Sequence, residues 1–200
     1  MRIVLLALVA LALVGGGAWA GVPDPDYCTV MDQDLMSNPL LTGFLTDGAF
    51  RADGDVTIFI AAYGGTPIGD AEVTIVINAA CEMCICDSWV QTAYTNNDPL
   101  SPDYGAVTMN MRWGGCCEMA AAATIYAEGT PIRTYDVINS TDWKGDACSA
   151  KVDLEDFGEF ARNYGSSTSP CQDYTGDGET DLEDFGIFAR HYGDECIWTP

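Results

Sequence analysis

The strongest constraint on the fold is an internal repeat. The segment from Val152 to Gly165 recurs 28 residues later, from Thr180 to Gly193, with 11 of 14 positions identical. In one copy Phe157, Phe160, Ala161 and Tyr164 stand at helical spacings of three, four and seven, and Phe185, Phe188, Ala189 and Tyr192 repeat them. That spacing draws one apolar stripe along a helix. Each copy therefore predicts an amphipathic helix of about three turns, stopped by Gly165 or Gly193. Neither helix can bury its stripe alone, so the two should pack against each other.

The residues ahead of the second helix carry the chemistry. From Asp173 to Asp184, oxygen-bearing side chains fall at positions 1, 3, 5, 9 and 12 (Asp173, Thr175, Asp177, Asp181, Asp184), and Gly178 occupies position 6. This is the pattern of a calcium loop, because a hard cation wants six to eight oxygens and the glycine permits a sharp bend. Glu179, at position 7, would contribute its backbone carbonyl. The competing reading is a solvated acidic turn with an aspartate cap. In the first copy Asp142, Lys144 and Asp146 match Asp173, Thr175 and Asp177, but three extra residues precede Asp153. Asp142, Asp146, Asp153 and Asp156 then form either a looser second site or a decayed copy kept for packing.

Two loop-then-helix units with aspartate at position 12, over residues 140–196, resemble dockerin domains. The resemblance implies paired calcium loops, with Asp173, Thr175, Asp177, Glu179 through its backbone, Asp181 and Asp184 as ligands. It also implies docking onto cohesin modules of scaffold or cell-surface proteins, with Arg162 and Arg190 as the retained basic positions of the partner face. The sequence departs from the family at positions 10 and 11. Leu154-Glu155 and Leu182-Glu183 stand there in place of small hydroxyl residues.

The middle of the chain has a different period. Val56, Ile58 and Ile60, then Val73, Ile75 and Ile77, alternate with residues of the opposite face, and Val107, Met109, Met111 and Trp113 share one side of a strand from 107 to 113. With further strands at 123–127 and 132–138 and Gly/Pro punctuation between them, residues 45–138 predict an antiparallel sandwich. The turn from Gly65 to Ala71 leading into Val73 resembles bacterial immunoglobulin-like domains of the invasin type. The expected fold is thus an all-β immunoglobulin-like sandwich followed by a small all-α calcium-binding, dockerin-like helical pair at 139–200. Residues 21–44 read as an N-terminal extension.

Arg2, the apolar run from Ile3 to Val14 and the triplet Ala18-Trp19-Ala20 predict a secretory signal over 1–20, the alternative being a membrane anchor. Export makes disulfides the default for Cys28, Cys81, Cys84, Cys86, Cys116, Cys117, Cys148, Cys171 and Cys196. The cluster Cys81, Cys84, Cys86, Cys116 and Cys117 offers a second reading as a thiolate site for zinc or another soft metal. Thirty acidic against eight basic residues, a net charge of −22, exclude a phosphate-reading nucleic-acid binder. His191, the sole histidine, reads as an exposed helix residue, and Asn139-Ser140-Thr141 as a sequon in an interdomain linker. The function expected is that of a secreted, non-catalytic calcium-binding protein attached to a protein partner. The alternatives are an enzyme or accessory subunit of extracellular polysaccharide degradation and a cysteine-cluster metal or thiol protein.

Overall fold

The period-two segments become strands, and their apolar sides meet. The computed structural model describes residues 21–32, 40–43, 55–86, 88–143 and 151–196, so the segment 1–20, Lys144, Asp146 and Cys148 lie outside the described residues. One sheet orders β1 (Thr29–Asp32), β3 (Asp55–Phe59) and β9 (Ala106–Asn110) as β1-β3-β9, all antiparallel. A five-stranded sheet runs β2-β12-β11-β6-β8, from β2 (Leu40–Gly43) through β12 (Thr130–Ser140), β11 (Cys117–Ala127) and β6 (Glu72–Ile77) to β8 (Val90–Tyr94). Within it β2 lies parallel to β12, with Leu41 opposite Ile138. Two short ribbons complete the strands, β4 (Ala61–Ala62) with β5 (Thr66–Pro67) and β7 (Cys84–Ile85) with β10 (Trp113–Gly114).

The two main sheets enclose one core, a β-sandwich. Val56, Ile58 and Met109 from the smaller sheet meet Leu41, Val73, Ile75, Ile77, Ile125, Tyr135 and Ile138 from the larger one. The alternation read from the sequence is the burial pattern of β3 and β6. Two expectations change. The supposed extension 21–44 supplies β1 and β2, because the sandwich needs an edge for β3 and a cover for β12, and Leu41 is fully buried. The strand expected at 107–113 is broken after Asn110. Beyond the Asn110–Asp55 pair β3 has ended, and the chain passes to β7 while Met109, Met111 and Trp113 stay buried.

The repeat forms α1 (Leu154–Asn163) and α2 (Leu182–His191), and each is followed two residues later by a left-handed glycine, Gly165 at φ +77° and Gly193 at φ +89°. Phe160 and Phe188 are buried and stack across the pair with ring centroids 5.7 Å apart. Only the centre of each stripe is covered, since Phe157, Phe185, Tyr164 and Tyr192 are partly exposed and Ala161 and Ala189 are exposed as well. His191 also departs from expectation. It is buried, with Nδ1 2.8 Å from Asp194 Oδ2, three residues after buried Phe188 and so on the same side of α2.

The helices are fastened to the sandwich. Cys116–Cys171 and Cys86–Cys196 bridge the two parts, and Cys81–Cys117 lies within the sandwich. Cys84 is disulfide-bonded as well. All five cysteines of the 81–117 cluster are thereby committed to sulfur–sulfur bonds, which removes the thiolates the soft-metal reading required. Cys28 is the free cysteine among the described residues; it packs half-buried beside the core, and burial raises its pKa. Disulfides of this kind belong to an oxidising, extracytoplasmic compartment, and no helix among the described residues is long and apolar enough to cross a membrane.

Close approach at the joint gives a first test. A Cβ on Gly114 would fall directly on the carboxylate of buried Asp142, whose own carbonyl accepts from the amide of Gly115. Gly114→Ala should therefore cost about 2 kcal/mol of stability by denaturant titration, a loss of the kind overpacking brings. A change within about 0.5 kcal/mol, the range of an ordinary surface substitution, would show that Asp142 can move aside.

Candidate functional site

The two copies of the repeat build one arrangement twice. Asp153 and Asp181 are extended N-cap residues whose side chains accept from the amides of Glu155 (2.7 Å) and Glu183 (2.8 Å). The third residue of each helix answers: Asp156 accepts from the Asp153 amide and Asp184 from the Asp181 amide, both at 2.8 Å. These are capping boxes with aspartate in the place of the usual Glu or Gln. The other oxygen reaches back to the start of the loop, Asp156 Oδ1 to the amide of Trp143 (3.0 Å) and Asp184 Oδ1 to those of Tyr174 (2.7 Å) and Thr175 (2.9 Å).

The copies are also cross-linked by backbone. Gly165 donates to the Thr180 carbonyl (2.8 Å) and Thr180 to that of Ser166 (2.9 Å); Gly193 donates to Val152 (2.8 Å) and Val152 to Asp194 (2.9 Å). Each helix end thus pairs with the residue preceding the other helix's cap, a pseudo-twofold relation. The rings obey it too, with Phe157–Phe188 and Phe160–Phe185 both at 6.0 Å. The first copy keeps this architecture in spite of the insertion.

In the second loop Asp173 is turned into the bend. Its Oδ1 accepts from Gly176 (2.6 Å) and from the Thr175 hydroxyl (3.3 Å), and its Oδ2 accepts from Gly178 (2.9 Å). Gly178, at position 6, has φ +93°. Asp177 accepts from the Glu179 amide at 2.9 Å and is exposed, whereas Asp173 and Asp184 are buried. Burial raises the Asp184 pKa against the pull of the three amides it holds, and the Asp173 charge raises it further. Tyr174, at position 2, stacks on Phe160 at 6.2 Å and is buried. Burial first, then the carboxylates of Asp156, Asp184 and Asp142, raise its phenol far above the ordinary range.

The charges of Asp156, Asp184 and Asp142 are all felt by the Tyr174 phenol and that of Asp173 by Asp184, while Asp146 lies outside the described residues. The donor chemistry suits a hard divalent cation: carboxylates of Asp173, Asp177, Asp181 and Asp184, the Thr175 hydroxyl and the Glu179 carbonyl, with no nitrogen or sulfur among them. Among the described residues no three carboxylate, imidazole or thiolate side chains converge closely enough to hold a metal as they stand. Arg162 pairs with Glu159 on the exposed side of α1, and Arg190 is exposed on α2.

Sequence reasoning missed Asn139. It is not in a linker but near the end of β12, fully buried, with its amide donating to the carbonyls of Pro170 (2.9 Å) and Asp173 (3.0 Å). The only signal for it was the strand pattern running up to Ile138. The chain matches no family model, no curated protein and no solved structure.

Proposed function

We propose that this is a secreted, calcium-binding modular protein whose dockerin-like helical pair attaches it to a protein partner, a cohesin-like module or another surface scaffold. The observation that carries the reading is the second loop: twelve residues in register, Asp173 turned into the bend, and Asp184 joining the loop's start to the helix cap. A calcium ion held by these oxygens supplies positive charge among four carboxylates that otherwise repel one another. Fixing Asp177 and Asp181 would then order the ground around Leu182 and Leu154, which stand exposed at 68% and 70% at equivalent positions of the two helices. Together with Arg162 and Arg190 they form the face offered to a partner. What supports the immunoglobulin-like reading is that β1 joins the smaller sheet while β2 joins the larger one, parallel to the last strand.

Calcium at about 100 times its Kd should stabilise the oxidised chain by about 2.7 kcal/mol, a rise of about 5–10 °C in Tm for a chain of this size. EDTA should reverse it. A melting curve indifferent to calcium and chelator would sink the calcium reading. Partner attachment is read separately, by titrating a purified cohesin module with and without EDTA.

A further inference from the structure

The helical pair does not hang from the sandwich by a tether; a buried amide connects the sandwich core to the first ligand position of the loop. The Asn139 carbonyl accepts from the indole Nε1 of Trp113 at 2.8 Å, and both residues are fully buried. The same residue's side-chain Nδ2 donates both of its hydrogens, to Pro170 O at 2.9 Å and to Asp173 O at 3.0 Å. Asp173 is position 1, and the Cys116–Cys171 bridge pins the chain two residues before it. Immediately after it, Tyr174 stacks on Phe160.

From this chain of contacts we propose that Asn139 is a positioning residue for the loop, and that through it the sandwich sets the loop's calcium affinity. The inference rests on the calcium reading above for its binding arm only. The physics is preorganisation: a loop whose first ligand is already held spends less of its binding free energy on ordering. An aspartate at 139 keeps the shape of the side chain. It would set carboxylate oxygen against two carbonyl oxygens, releasing Asp173 from the sheet.

The test uses the full oxidised chain and calcium itself as probe. For Asn139→Asp, losing two hydrogen bonds should raise the calcium Kd about tenfold in calorimetric titration. In EDTA, the amides of Gly176 and Gly178, whose bonds to Asp173 report loop order, should exchange hydrogen about tenfold faster, while those of β6 and β11 keep their protection. A residue that merely filled space would lower the melting temperature and leave Kd and loop exchange where they were; that outcome overturns the proposal. If the native chain binds no calcium, the function proposed above fails, and the exchange arm alone decides the positioning role. If Asn139→Asp does not fold, Trp113→Phe decides. It keeps an aromatic ring, though a smaller one, and drops the indole N–H that holds the Asn139 carbonyl, so loop exchange should accelerate several-fold, and unchanged exchange overturns the role.

Discussion

Alanine in place of Asp184 should lower the unfolding free energy by about 4 kcal/mol, measured in chelator so that no cation contributes. Asp184 is fully buried and its two oxygens accept from three amides, those of Tyr174, Thr175 and Asp181. Bonds to a charged acceptor are each worth about 1.5–3 kcal/mol, and removing the acceptor strands one donor at the helix cap, where no intrahelical partner exists, and two at the start of the loop. Part of the loss is returned, because the native chain holds a desolvated carboxylate there and burial opposes its charge. The net should appear as a fall of about 8–16 °C in Tm. Asp184→Asn should cost about half as much, since one oxygen survives for Tyr174 and Thr175 while an NH2 group faces the amide of Asp181. A loss under about 1 kcal/mol for the alanine variant, the worth of a single ordinary hydrogen bond, would mean that the loop start finds other acceptors.

The second large effect is expected from the bridges between sheet and helices. Cys116–Cys171 and Cys86–Cys196 join residues 55 and 110 apart in sequence. Closing such loops restricts the unfolded chain by about 4–5 kcal/mol each. The loops are nested, so removing both bridges should cost less than the sum, about 6 kcal/mol in guanidinium titration of the quadruple serine variant. The Cys116→Ser, Cys171→Ser pair alone should lose about 3–4 kcal/mol and loosen the helical pair before the sandwich. If the double variant unfolded at the native denaturant midpoint, the joint would be held by Asn139 and the packing around Tyr174 instead.

How far the sequence speaks depends on whether the determining contacts are local. The strands of 72–77 and 55–59 were legible because half-buried sheets impose period two, and Val73, Ile75 and Ile77 obey it. Both helices were legible in type and in their glycine stops, because the apolar stripe and the terminal glycine lie within one short window. The joint was not. Asn139 reads as a linker sequon until Pro170 and Asp173, more than thirty residues away, come to meet it. His191 looked like surface because its partner Asp194 lies past the helix end and its burial is imposed by the rest of the module. The roles of β1 and β2 were hidden for the same reason, since a short strand at a sheet margin is recognised by its partner more than by its own pattern. Disulfide pairing, too, is a property of the assembled molecule.

The placement of the bridges bears on survival among proteases. Any single cut between Cys116 and Cys171 falls inside both closed loops, so it severs the backbone and releases nothing. The two pieces remain one covalent molecule, with Asn139 on the first or second piece still facing Pro170 and Asp173 according to where the cut falls. Residues 144–150, between the last strand and the repeat, lie wholly within that span. A nick there leaves the helical pair covalently joined to the sandwich, so separating the two parts requires further cuts or a reductant.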